Sequence, residues 1–265
     1  MKIDRERISR VFNDYVAQYD LREEKIRLKA EHTLRVASLC EQIAASQGLG
    51  EEDRDLAWLV GMLHDVGRFE QLRLFSTFND AQSMDHARFG AQLLFEEGKI
   101  RDYVRETQED ELLETAIALH SAYRLPEKLE ERTRLFCYLI RDADKIDILK
   151  VNVDFSMEEI YNVTARQLRE SLISEAVLQA FYEEHAVLRS LKQTPLDNLI
   201  GHISLVYELE FPYSLRIVRE QGYLERLMAF SSDNPETCRQ LTMVREHMEE
   251  YLMRKSEGRE QKNVN

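Results

Sequence analysis

At His64-Asp65 an imidazole and a carboxylate stand side by side at the end of an apolar helical run, Val60-Gly61-Met62-Leu63, just ahead of Gly67. A hydrophobic core has no use for that pair at a helix end. A divalent cation has, because it takes a nitrogen and an oxygen ligand from one short segment. His32, His86 and His120 fall on the apolar faces of three further helical stretches, and Asp144 follows Phe136 and Ile140 at i, i+4, i+8. A single histidine on such a face is most often a hydrogen-bonded structural residue. A buried, unpaired carboxylate is costly, so core-facing aspartates normally have a cationic or metal partner. Six ligand-type groups on successive helices are satisfied together if the helices converge on one site.

The chain can supply those helices. It has only nine glycines and four prolines in 265 residues, roughly 5% against a usual ~12%, and 43% of its residues are hydrophobic. So few breakers predict an all-α fold. Periodicity and stop signals predict helices over 3–18, 22–47, 51–66, from 85 to Gly98, 109–121 and 130–149. Between Arg68 and Met84 the pattern dissolves into an irregular stretch of the kind that often carries function. Beyond residue 150 the helical period continues over 157–190, 196–209, 213–230 and 235–254 without another cluster of ligand-type residues. The expected organisation is a metal-binding core over 1–150 with an N-terminal helix, a helical extension over 151–255 packed on it, and a disordered tail over 256–265. His185, His202 and His247 lack matching acidic partners or lie among glutamates, and are assigned to structure, as are Cys40 and Cys137.

The net charge of −13 disfavours nucleic-acid polymers and anionic membranes, whose phosphates are held mainly by clustered Lys and Arg. A small phosphorylated ligand in a locally basic pocket is compatible with it. Three scattered cysteines imply no disulfide framework. There is no apolar run of about 18 residues and no leader-like N-terminus, which predicts a cytoplasmic protein without a membrane span. A homodimer is left open.

The order His32, His64-Asp65, Asp144 resembles the signature of the HD-domain superfamily of metal-dependent phosphohydrolases. Asp142-Ala143-Asp144-Lys145-Ile146-Asp147 is similar to its closing motif, in which the aspartate before a Lys or Arg binds metal. Asp85-His86-Ala87-Arg88-Phe89-Gly90 and Ala116-Ile117-Ala118-Leu119-His120-Ser121 resemble segments of the dinuclear members, the HD-GYP phosphodiesterases and the dinucleoside-tetraphosphate hydrolases of the YqeK type. The resemblance covers about residues 20–150. It implies an HD-domain helical bundle with additional C-terminal helices. It also implies a first metal on His32, His64, Asp65 and Asp144, with Asp65 bridging to a second on His86 and His120. Leu28 stands where the HD-GYP proteins carry a glutamate ligand, and Gly-Tyr-Pro is absent, which argues against a cyclic-di-GMP phosphodiesterase and a three-metal site.

The implied reaction is hydrolysis of a phosphoester or phosphoanhydride bond, in a nucleotide or other small phosphorylated metabolite, by a metal-bound hydroxide. The mixed imidazole and carboxylate set suits one or two ions of Mn, Fe, Ni, Co or Zn, with Mg as an alternative. Asp65, His86, His120, Lys145 and Arg68 are the candidate catalytic groups, the last two as phosphate-binding cations. Arg35 is a further cation candidate, whereas Arg73, Arg88 and Arg124 read as surface groups. Gln71, Phe75, Phe78, Asn79 and Tyr123 fit either a substrate pocket or a packed loop. Two other readings use the same ligands: a di-iron oxygenase of the same fold, and a non-catalytic module in which metal holds the helices together.

Overall fold

In the computed structural model, which describes residues 1–161 and 163–260, the chain forms two compact units, Met1–Asp147 and a second beginning at Ile148. The described residues contain helices and no strand. No helix among them is long and apolar enough to cross a membrane.

The first unit comprises α1 (Arg5–Val16), α2 (Glu24–Ser46), α3 (Glu51–Leu63), α4 (Val66–Phe75), α5 (His86–Ala91), α6 (Ile100–Tyr103), α7 (Asp110–Leu119) and the first part of α8 (Glu131–Asp154). Asp4 caps α1 by accepting from the Arg7 amide. The buried face of α1, Ile8, Phe12 and Val16, reaches α4 through Phe12 and Phe69, whose rings meet edge to face at 6.1 Å. Two glycines allow close backbone approaches. A Cβ on Gly61 would lie 2.5 Å from the Ala37 Cα, so α3 touches the α2 backbone there. A Cβ on Gly67 would lie 2.3 Å from the His86 carbonyl oxygen, so the start of α4 presses on the start of α5. Both contacts are next to ligand-type residues, and only glycine permits them.

The expected helix over 51–66 is two helices. α3 stops at Leu63, Asp65 leaves the helical region at φ −107°, ψ 15°, and α4 begins at Val66. The stretch expected to be irregular from Arg68 is helical as far as Phe75, where Ser76 adopts a left-handed φ of 55°. Its period is hidden because α4 is covered on several sides: Gln71 is buried beside Phe69 and Leu72, and Arg68 is mostly enclosed. The irregular loop is therefore 76–85, apart from a 3₁₀ turn at Asp80–Gln82. After α5 the chain widens into a π-helical turn over Gln92–Glu96.

The second unit contains the end of α8, then α9 (Met157–Tyr161), α10 (Ala165–Glu170), α11 (Glu175–Tyr182), α12 (Pro195–Ile203), α13 (Pro212–Gln221), α14 (Tyr223–Met228) and α15 (Pro235–Glu260). The expected continuous helix over 157–190 is thus three. Thr164 and Gln167 form a reciprocal capping box that starts α10. Asp197 is buried because it accepts from the Ser174 amide and hydroxyl and from the amides of Gln193 and Thr194. Gly222, at φ +69°, divides the expected helix over 213–230 into α13 and α14. Residues 256–260 of the expected tail are helical; 261–265 lie outside the described residues. The His202 Nδ1 is hydrogen-bonded with the Tyr161 hydroxyl at 2.8 Å. His247 packs against the rings of Phe181, Tyr182 and Tyr207 rather than lying on an open face.

Candidate metal centre

Each ligand-type residue reaches the centre of the first unit from an element end or an inward face. His32 projects from α2. His64 and Asp65 occupy the break between α3 and α4, where one residue ends a helix and the next precedes another. His86 is the first residue of α5, set by Asp85, whose side chain accepts from the amides of Ala87 and Arg88. His120 follows the last turn of α7. Arg141 of α8 secures that helix end by donating to the carbonyls of Leu119 and His120 at 3.4 Å and to that of Ala122. Asp144 and Asp147 lie one turn apart on α8.

The imidazoles are oriented alike. The Nδ1 of each is engaged by an oxygen acceptor: His32 by Asp147 Oδ2 at 2.7 Å, His64 by the Gly61 carbonyl at 2.7 Å, His86 by Asp80 Oδ2 at 2.8 Å and His120 by the Ile117 carbonyl at 2.8 Å. Carbonyls and ionised carboxylates only accept, so Nδ1 carries the proton in all four rings. In each neutral ring Nε2 is then a bare lone pair. The Nε2 atoms of His32 and His64 lie 3.4 Å apart, and those of His86 and His120 lie 3.1 Å apart.

Asp65 stands between the two pairs. Its Oδ2 is 3.6 Å from the Nε2 of both His32 and His64, while its Oδ1 is 3.4 Å from His86 Nε2 and 3.7 Å from His120 Nε2. Asp144 adds an oxygen 3.1 Å from His32 Nε2 and 3.9 Å from His64 Nε2. Two overlapping sets, His32, His64, Asp144 and His64, Asp65, His120, offer ligand atoms close enough to hold a cation. The donor chemistry fits one. The Nε2 lone pairs of His86 and His120, facing each other at hydrogen-bond distance with no proton between them, are mutually repulsive, and a cation between them would remove the repulsion.

Burial lowers the pKa of His86 and His120 to about 4 and also lowers that of His64. For His32, burial and Lys29 favour the neutral ring, but the hydrogen bonds to Asp144 and Asp147 leave the pKa raised. Burial pushes the carboxyl groups of Asp65 and Asp144 towards higher values, but Asp65 is held lower by Lys29 and the surrounding imidazoles, and Asp144 by its hydrogen bond with His32 and the neighbouring rings. Both stay ionised.

The candidate cations are placed differently from one another. Arg68 donates NH1 to the Gln71 side chain, the Phe78 carbonyl and Asp80, and its Nε lies 3.8 Å from Asp65 Oδ1. Lys145 is buried and reaches back to the Arg141 carbonyl at 3.2 Å. Arg35, a candidate for phosphate, grips Asp147 through Nε and NH2 at 2.6 and 2.9 Å. Gln71 is a loop anchor, donating to Asp80, Ser83 and the Met84 carbonyl.

Three contributors escaped sequence reasoning. Asp147 lies within the closing motif and sits three residues after Asp144, a helical spacing that puts it on the same face. Asp80 had no such signal, because it lies in a loop. Lys29 precedes His32 by three residues, again one helical turn, and pairs with Asp65 at 2.7 Å.

Helices that converge on four imidazoles and two carboxylates make this an α-helical metal-binding domain. Residues 30–149 match the model of the HD domain family, and this part of the chain belongs to that family. The match encloses all six ligand-type residues. No curated protein and no solved structure is matched by the chain.

Proposed function

We propose that the chain is a metal-dependent phosphohydrolase that cleaves a phosphoester or phosphoanhydride bond in a nucleotide or other small phosphorylated metabolite. The observation that carries the proposal is the division of Asp65, one oxygen facing His32 and His64 and the other facing His86 and His120. In this reading His32, His64, Asp144 and Asp65 hold one divalent ion, and Asp65, His86 and His120 hold a second. Membership of the HD family supports it, since that family consists mostly of metal-dependent phosphohydrolases. Divalent cations there supply Lewis acidity, activating water and neutralising phosphoryl charge.

The chain's own groups then place the substrate. Arg68 is fixed by three acceptors with its Nε turned towards Asp65, so a phosphoryl oxygen arriving at the centre meets a donor that is already oriented. Lys145, directly after Asp144, supplies a second positive charge to the α8 side of the centre. Asp147, Asp80 and the carbonyls of Gly61 and Ile117 hold the imidazoles in the tautomer that presents Nε2 inward.

The test is a panel of phosphomonoesters, phosphodiesters and nucleoside phosphates, each assayed with Mn, Ni, Co and Mg. Turnover of at least one phosphate compound, abolished by Asp65→Ala, is expected. No turnover of any compound with any of these metals overturns the proposal.

A further inference from the structure

Lys29 lies against the proposed centre, and its position conflicts with that of a metal. Its ammonium lies 2.7 Å from Asp65 Oδ2, the oxygen that faces His32 and His64. Asp65 is almost wholly buried, while Lys29 retains about a fifth of its side-chain exposure. The carboxylate is thus an enclosed charge neutralised by a cation that has a way out. A divalent ion bound through the same carboxylate would place like charges a few ångströms apart in a poorly screened setting, and the flexible partner would leave.

The surroundings show where the ammonium can go. Phe78, on the 76–85 loop, lies beneath both Lys29 and Arg68, with the Lys29 Nζ 5.7 Å and the Arg68 guanidinium carbon 5.8 Å from the ring centroid. The Arg68 Nε is buried and makes no hydrogen bond. Two cations on one ring, one of them with an unused donor, form a site for an anion beside the centre.

We propose that Lys29 is an exchangeable counter-cation. It neutralises Asp65 in the metal-free protein, is released when a divalent ion takes that carboxylate, and joins Arg68 in binding the phosphate group of the substrate. This rests on the function proposed above. It adds that metal loading and phosphate binding are coupled through one lysine: Lys29 opposes the metal and favours the phosphate.

Calorimetric titration of wild type, Lys29→Gln and Lys29→Arg tests the exchange, first with Mn2+ on chelator-treated protein, then with inorganic phosphate on the Mn2+-loaded protein. Lys29→Gln is expected to bind Mn2+ several-fold more tightly than wild type and phosphate about tenfold more weakly. Lys29→Arg, which keeps the charge, is expected to stay close to wild type in both. Opposite signs cannot arise from a merely damaged fold, which would weaken both. If wild type binds Mn2+ but Lys29→Gln binds it no more tightly, or binds phosphate as well as wild type, the exchange is overturned and the phosphohydrolase reading stands. If wild type binds none of Mn2+, Ni2+, Co2+ and Mg2+, both fall.

Discussion

Asp147 Oδ2 lies 2.7 Å from His32 Nδ1, so a carboxylate that is itself no proposed ligand decides which nitrogen His32 turns inward. Arg35 holds the same carboxylate through two nitrogens. Such outer partners fix the tautomer of a ligand and raise its basicity. Asp147→Asn is expected to weaken divalent-metal binding by about 10–100-fold with the helical circular dichroism retained. Titration of apo protein with Mn2+ or Zn2+ measures it, and an unchanged affinity would show that Asp147 serves the fold alone.

Metal removal should be visible in stability. A ligand at about 100 times its dissociation constant stabilises the folded state by about 2.7 kcal/mol, which corresponds to a Tm change of about 5–10 °C for a unit of this size. Thermal melts with and without a chelator should differ by that amount and be restored by added metal. Asp65→Ala should lose the metal response together with turnover. A variant that melts lower but keeps full turnover would mark the metal as structural only.

Gly61 separates two backbones, not two flexible side chains. With a Cβ 2.5 Å from the Ala37 Cα, Gly61→Ala forces α3 away from α2. The expected cost is about 1–3 kcal/mol, read from urea denaturation. Because His32 and His64 lie on these two helices, metal affinity should fall as well. A melt identical to wild type would mean that the helices part without strain.

His202, in the second unit, gives a pH dependence of its own. Burial, helped by Lys192 and Arg189, lowers its pKa to about 3 from 6.5. Above pH 6.5 both folded and unfolded forms are neutral and no stability is lost. As the pH falls from 6.5 towards 3 the unfolded chain takes up a proton that the folded chain refuses, and stability drops by up to about 1.4 kcal/mol per pH unit. Denaturation of wild type and His202→Gln from pH 7 to pH 4 should show a steeper loss in the wild type. Parallel curves would rule out the buried neutral ring as the cause.

Much of the first unit was legible in the residues. The ends of α2, α7 and the start of α8 fall within two residues of expectation, because their apolar stripes are regular and their flanks carry glycine, proline or acidic first turns. α4 was missed for a physical reason. It is covered on several sides, and polar groups such as Gln71 and Arg68 take inward positions, which erases the stripe that marks an amphipathic helix. The start of α10 within 157–190 depended on a capping box and the division of 213–230 on a left-handed glycine, which interrupt the chain without interrupting its average hydrophobicity.

From sequence alone came the six ligand-type residues, the all-helical class and the demand that the helices meet. These follow from residue chemistry and a period of 3.6. Only the tertiary structure decided the roles around them. It turned Arg35 from a phosphate candidate into the anchor of Asp147, brought Asp80 from a loop onto His86, and set Lys29 against Asp65. Arg35 with Asp147 and Lys29 with Asp65 join residues far apart in the chain, and Asp80 reaches His86 across an irregular loop. Spacing can say which face of a helix a charge occupies, but only the packing of one helix on another determines which opposite charge it finds there.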